Sequence, residues 1–102
     1  MSAEYWEAID AARGVWMWVD FRTEHGEVVD YVIVLAQWTG EGMETVRIYD
    51  AAHGFNEMHR FTRSAGKQDG IEVHRGTLGE GMRSGQEEIK QSYPSMIEGW
   101  ER

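Results

Sequence analysis

A strict alternation between residues 15 and 22 limits what this chain can fold into more than any other feature. From Val15 to Arg22, apolar residues occupy the odd positions, and polar or aromatic residues occupy the even ones. Successive side chains of a β-strand point to opposite faces of its sheet, so this period of two predicts a strand with one buried face. Such a strand needs partner strands and a second layer that covers its apolar side.

The partner strands are predicted downstream, each after a short turn that contains glycine. A long β-branched run over 28–38 predicts a central strand, and the segments 43–50, 57–63 and 71–75 predict three more. Consecutive strands that are joined by short turns pair in the antiparallel direction. We therefore expect an antiparallel meander of about five strands.

A first helix is predicted ahead of these strands. Ser2 is a residue type that caps the N-terminus of a helix, and Gly14 is the type that most often ends one. Tyr5, Ile9 and Ala12 follow helical spacing and would form the buried stripe of this helix.

A second helix is predicted after the last strand. Thr77 and Glu80 match a capping box, so this helix should begin near Leu78. Apolar residues then recur at intervals of three, four or seven, as on one face of a helix. Pro94 interrupts the pattern and should kink or restart the helix at Tyr93.

Length and composition fit one α+β domain over residues 1–102, in which the sheet is flanked by an N-terminal and a C-terminal helix. Cysteine is absent, which excludes disulfides, thiolate nucleophiles and cysteine-based metal sites. No apolar run approaches the ~20 residues that cross a bilayer. The first residues lack the basic start and apolar block of a secretory signal. We therefore expect a cytoplasmic protein that makes no membrane contact.

The charge is strongly negative but unevenly distributed. The net charge is −8, which argues against a general affinity for nucleic acid. The first 45 residues carry nine acids and only two arginines, whereas residues 46–83 carry six basic residues and five acids. The middle of the chain is therefore the region where an anion could bind, unless a partner supplies the basic surface.

The densest cluster of polar residues lies in this middle region, on two predicted strands and the turn between them. Neighbouring strands are about 4.8 Å apart, so the hairpin should bring both arms within side-chain reach. Two histidines beside arginines and a carboxylate are the groups that acid–base cleavage of RNA requires. The candidate catalytic residues are His53, His59, Tyr49 and Glu57, and the candidate substrate-binding residues are Arg47, Arg60 and Asp50.

This chemistry needs no metal and no other cofactor, but two alternatives remain open for the same residues. The strand residues could simply be solvated, with Asp50 and His53 making the turn, because polar sheet faces are common. A metal site built from Asp50, His53, Glu57 and His59 is the other alternative, although these residues follow no established ligand spacing.

Two tryptophans on the mixed face of the first predicted strand also allow two interpretations. Trp16 and Trp18 could be buried beneath a helix, which is the ordinary fate of such large side chains. They could instead form a platform that stacks on bases or binds a partner.

One block in the middle of the chain resembles known proteins. Its sequence, Val-Arg-Ile-Tyr-Asp-Ala-Ala-His-Gly followed by Glu-Met-His-Arg-Phe, is similar to a family of small bacterial and phage-borne proteins with R-x-Y-D-x-x-H-G…H-R and GTLGEGM segments. It more distantly resembles the TumE-type toxins of toxin–antitoxin pairs, which are small α+β proteins. In that comparison Tyr49, Asp50 and Gly54 fall on shared positions, and His59 and Arg60 match when the turn differs by one residue.

Two hypotheses for the function follow. The resemblance and the His/Arg hairpin imply the toxin-like component of a toxin–antitoxin or phage-defence pair, a metal-independent ribonuclease whose partners are RNA and a cognate antitoxin. The net charge of −8 favours the rival, a non-enzymatic acidic protein-binding module that acts as an antitoxin or phage-encoded inhibitor of a basic partner. Both hypotheses leave a homodimer open.

Overall fold

Seven antiparallel strands form one sheet, and a single helix packs against one of its faces. The computed structural model describes residues 1–102. Strands followed by a single C-terminal helix make this an α+β fold. The elements are β1 (Ser2–Asp10), β2 (Val15–Glu24), β3 (Glu27–Trp38), β4 (Met43–Asp50), β5 (Asn56–Thr62), β6 (Gly66–Lys67), β7 (Ile71–His74) and α1 (Leu78–Glu101). The strands lie in the order β1-β2-β3-β4-β5, and β6 and β7 pair with opposite ends of β5.

The alternating segments form strands as predicted. β2, β3, β4, β5 and β7 all begin within one residue of their predicted starts. His25 and Gly26 both have positive φ, at 52° and 78°, in the two-residue turn between β2 and β3. That conformation matches the twist of the two strands that it joins.

The predicted N-terminal helix is wrong, because residues 2–10 form the edge strand β1. Tyr5 and Ile9 fit helical spacing, but they also fit the period of two that runs through Ala3 and Glu7. β1 pairs along β2 over most of its length, with Trp6 directly opposite Trp18. This long-range pairing outweighs local helix propensity, a common outcome for a short segment.

Gly14 does end a helical segment, but this is only the single 3₁₀ turn Ala11–Arg13 between β1 and β2. Gly14 adopts the left-handed conformation, with φ of 72°, and its N–H donates to the carbonyl of Ala11. A side chain at this position would also press against Trp38, since a Cβ atom would lie 2.9 Å from the Trp38 Cβ. The predicted stop signal was therefore correct for a much shorter element.

The hydrophobic core lies between α1 and the face of the sheet that the odd-numbered residues of β2 and β3 form. Val15, Met17, Val19, Ile33 and Leu35 are completely buried there. The helix contributes four buried apolar residues to the same core, namely Ile89, Met96, Ile97 and Trp100.

The C-terminal helix begins as predicted. The Thr77 hydroxyl oxygen accepts a hydrogen bond from the Glu80 N–H at 3.1 Å, and the same hydroxyl donates to the Glu80 carboxylate at 3.0 Å. The hydrogen bond that the Thr77 hydroxyl donates to the carboxylate holds the pKa of Glu80 below its usual value. α1 continues without a break through Pro94, so of the predicted kink or restart at Tyr93 the restart does not occur. No segment of this helix is long and apolar enough to span a membrane.

Asn56 joins the sheet to the start of the helix. This residue is 1% exposed, and its Oδ1 accepts a hydrogen bond from the Tyr31 hydroxyl at 2.7 Å. Its Nδ2 lies 3.1 Å from the carbonyl oxygen of His74 and 3.2 Å from that of Thr77, to which it donates. Gly81 of α1 packs so tightly on Asn56 that a Cβ atom there would overlap the amide.

The close contact between Gly81 and Asn56 leads to a prediction about stability, for which the same helix offers a control. Gly81→Ala should lower the free energy of unfolding by about 1–3 kcal/mol, because the added methyl group displaces a buried, hydrogen-bonded amide. Gly99→Ala, where the added Cβ atom meets nothing within 4 Å, should raise it by about 0.4–1 kcal/mol. Urea unfolding of both variants measures the difference, and equal stabilities would contradict the packing described here.

Candidate functional site

The even-numbered residues of the central strands form the second face of the sheet, which no helix covers. We call this surface the open face. Because side chains alternate along each strand, every residue that β2 and β3 send into the core has neighbours on the open face. Trp16 and Trp18 lie there, outside the core, so the structure does not support the interpretation in which a helix buries them.

The register of the strands arranges the open face into two parallel rows of side chains. The first, which we call the acidic row, contains one apolar residue among carboxylates and consists of Glu4, Asp20, Val32, Asp50, Glu57 and Glu72. The second, which we call the apolar row, consists of Trp6, Trp18, Val34 and Ile48, and it ends at His59 on β5. Each row crosses the sheet at right angles to the strands, so like residues lie next to one another.

A groove of about 720 Å³ lies over the acidic row. Its walls include Asp20 and Asp50 from the row and Asp30 from the neighbouring position on β3. Arg22, directly opposite Asp30, is the one basic residue in the lining. A positively charged group is therefore the ligand that this groove favours.

Three ionisable side chains meet where the acidic row reaches β4 and β5, and we call them the polar cluster. They are Asp50, Glu57 and His59, and one ligand-type atom from each lies within 4.8 Å of the others. His59 Nε2 lies 3.1 Å from Glu57 Oε1 and 3.9 Å from Asp50 Oδ2. All three side chains are largely buried. Buried ionisable groups that face one another in this way mark a candidate functional site.

The loop after β6 closes one side of the polar cluster. The Nδ1 atom of His59 lies 3.1 Å from the backbone carbonyl oxygen of Gln68. A Cβ atom at Gly70 would lie 2.5 Å from Glu57 Oε2 and 2.6 Å from His59 Cε1. Only a residue without a side chain allows this close approach. Gln68 and Gly70 were not among the predicted site residues.

His53 extends the polar cluster towards solvent. Its Nδ1–H donates a hydrogen bond to Glu57 Oε1 at 2.9 Å, while the side chain remains 67% exposed. The ring of Phe55 stacks beside it, with 6.2 Å between ring centroids. Hydrogen bonds from His53, and secondly from His59, hold the pKa of Glu57 below its usual value. Glu57 is therefore the anionic centre of this group.

The remaining predicted site residues lie on the other face of the sheet. Tyr49 is 1% exposed in the core, and burial raises its pKa to about 12. Arg47 also points towards the helix, where its guanidinium lies 3.4 Å from the Glu88 carboxylate. Arg60 is directly opposite Arg47 in the pairing of β4 with β5. The structure thus brings together Asp50, His53, Glu57 and His59, and separates them from Arg47, Tyr49 and Arg60 by the thickness of the sheet.

The alternation of β4 already contained the signal for this separation. Arg47 and Tyr49 occupy odd positions, and Asp50 occupies an even one, so one strand cannot direct all three to the same face. Asn56 was missed for a different reason, because its role depends on backbone carbonyls from residues about 20 positions away.

No protein-family model, curated protein or solved structure matches this chain. The geometry of the open face is therefore the basis for the functional argument, and the resemblance to TumE-type toxins stays a prediction.

The close approach of Gly70 to Glu57 and His59 leads to the second prediction. Gly70→Ala should displace the Glu57 carboxylate and the His59 ring, and should lower the free energy of unfolding by about 1–3 kcal/mol. In NMR spectra the ring signals of His59 and His53 should shift, while those of His25, in the distant β2–β3 turn, should not. Gly42→Ala is the matched control, because a Cβ atom there meets nothing within 4 Å. Unchanged His59 signals in Gly70→Ala would contradict the described contact.

Proposed function

We propose that this chain is an acidic protein-binding module whose open face covers a basic surface of a partner protein. The observation that carries the proposal is the pair of rows, one acidic and one apolar, on a sheet face that has no covering layer. In a toxin–antitoxin or phage-defence pair, this is the role of an antitoxin or an inhibitor. We place this module in the cytoplasm.

Charge complementarity identifies the partner as basic. Five carboxylates of the acidic row line up across six strands, and Arg22 is the only cation beside the groove above them. Their summed field attracts lysine and arginine side chains and speeds association with a basic surface. The same field repels the phosphates of a nucleic acid.

The apolar row supplies area that such a partner can bury. Trp6 is 54% exposed, and its ring lies 6.4 Å from that of Trp18, centroid to centroid. Trp18 itself is half-buried, so the exposed apolar area of this pair comes mainly from Trp6. Tryptophan is enriched at the centres of protein interfaces. The place of this pair beside the acidic row gives a partner both apolar contact and ion pairs.

The third prediction tests the acidic row with a defined probe, a nine-residue peptide that alternates lysine and leucine. The double variant Glu4→Lys with Asp20→Lys should weaken peptide binding at least tenfold, because it replaces two adjacent anions of the row by cations. Isothermal titration calorimetry measures the affinity, and NMR shifts locate the peptide on the chain. Glu4 and Asp20 lie directly opposite each other on β1 and β2. The variant therefore replaces a pair of neighbouring negative charges by a pair of neighbouring positive charges.

The control changes the net charge by the same amount on the far side of the molecule. Glu87→Lys with Glu101→Lys places both substitutions at exposed positions of α1 and should change the affinity less than threefold. Equal losses in the two double variants would show binding by overall charge alone and would overturn the proposal. A peptide that alternates glutamate and leucine should not bind to the wild-type chain or to the Glu87→Lys with Glu101→Lys control.

A second candidate function, the toxin-like ribonuclease, is favoured by one specific observation. His53 is anchored through Nδ1 to Glu57, while its exposed ring leaves Nε2 available to a substrate. A carboxylate that orients an exposed imidazole is a common arrangement for proton transfer. Arg47 and Arg60 cannot neutralise a phosphate at this place, because they lie across the sheet.

The fourth prediction follows from this second candidate. The purified chain should cleave single-stranded RNA, His53→Ala should abolish cleavage, and His25→Asn should leave it unchanged. Gel analysis of labelled RNA provides the measurement, with growth arrest on induced expression as the cellular counterpart. An absence of cleavage by the folded wild-type chain would exclude this candidate and leave the binding module unaffected.

A further inference from the structure

We propose that the polar cluster binds one divalent transition-metal ion through Asp50, Glu57 and His59. The site lies on the open face, but the proposal is independent of the binding-module function. It rests on the geometry of three largely buried side chains and on the hydrogen-bonding needs of one imidazole.

The spacing of the three side chains suits a cation between them. Metal–ligand bonds to imidazole nitrogen and carboxylate oxygen are about 2.0–2.2 Å long, which places neighbouring ligand atoms roughly 3–3.5 Å apart. His59 Nε2 lies 3.1 Å from Glu57 Oε1 and 3.9 Å from Asp50 Oδ2. The ligand atoms of all three residues lie within 4.8 Å of one another, so the Asp50 carboxylate would have to move closer to the other two to complete the coordination.

Both nitrogens of the His59 imidazole face an oxygen acceptor. The ring is 9% exposed, and both of its nitrogens face oxygen acceptors at 3.1 Å, the Gln68 carbonyl and the Glu57 carboxylate. A neutral imidazole carries one N–H, so it satisfies one of these contacts and turns a lone pair towards the other oxygen. A metal ion on Nε2 removes the conflict and leaves the Nδ1–H to donate to Gln68. Metal-bound histidines generally donate their other N–H to a carbonyl or carboxylate in this way.

The negative charge of the open face also favours a bound cation. Asp50 and Glu57 are directly opposite each other on β4 and β5, so two negative charges lie side by side with little water around them. Asp20 and Glu72 add negative charge on either side in the acidic row. A divalent cation offsets this repulsion more completely than the single proton of an imidazolium does.

The donor set selects the class of metal. One imidazole and two carboxylates suit Zn²⁺, Mn²⁺ and related ions, whereas Ca²⁺ and Mg²⁺ prefer sites made entirely of oxygen. Three protein ligands leave at least one coordination position for water or another molecule.

The fifth prediction is that ZnCl₂ binds to chelator-treated protein at one ion per chain. Isothermal titration calorimetry should give this stoichiometry, and NMR should show a large ¹⁵N shift at His59 Nε2 with the Nδ1 proton retained. Asp50→Asn and Glu57→Gln preserve side-chain shape and should each weaken binding at least tenfold, as the loss of a ligand requires. MgCl₂ and CaCl₂ at the same concentration should leave the His59 signals in place.

One variant separates this site from general attraction of cations. Asp30→Asn removes the same charge from the groove without touching the polar cluster, and it should change zinc affinity less than threefold. The proposal is overturned if zinc does not bind. It is also overturned if Asp30→Asn weakens binding as much as Asp50→Asn does, or if Nε2 does not shift. The NMR readout uses wild-type protein, so it decides the question even where a variant fails to fold.

Discussion

A single helix is the only layer that packs against this sheet, and most properties of the molecule depend on that constraint. A helix covers one face of a sheet, so the apolar residues of β2 and β3 that point towards α1 become the core. The residues between them have no layer to cover them. Their chemistry is therefore free to serve binding, and in this chain it is sorted into an acidic row and an apolar row rather than mixed as on an ordinary solvated face.

The joint between helix and sheet depends on small residues at close contacts. Gly81 approaches Asn56, and Gly85 approaches the ring of Tyr49, with 3.1 Å between a Cβ atom built at Gly85 and the nearest ring carbons. Tyr49 thus packs beneath the helix while its neighbour Asp50 belongs to the polar cluster on the opposite face. The strand β4 contributes side chains to both faces of the sheet. The packing of α1 on Tyr49 therefore also determines the position of the Asp50 carboxylate.

Sequence patterns predicted the parts of the fold in which one pattern has one interpretation. The alternation from Val15 to Arg22 admits only a strand, and the capping box at Thr77 admits only a helix start. Residues 2–10 fit both a period of two and helical spacing, and the pairing of Trp6 with Trp18, which decides between them, is a contact between distant residues. The same distinction holds for the candidate site. The hairpin predicted that His53, Glu57 and His59 would be close, but the Gln68 carbonyl comes from a loop whose path no local pattern specifies.

The polar cluster and the acidic row share two carboxylates, so metal binding and partner binding at the open face would influence each other. A divalent ion on Asp50 and Glu57 would cancel two negative charges in the middle of the row, on the surface that the proposed basic partner would contact. Metal and partner then compete for the same field, and thermodynamic linkage requires each to weaken the affinity for the other by the same factor. The coupling acts through charge rather than through a change of shape, so it should fade at ionic strengths where the screening length falls below the strand spacing.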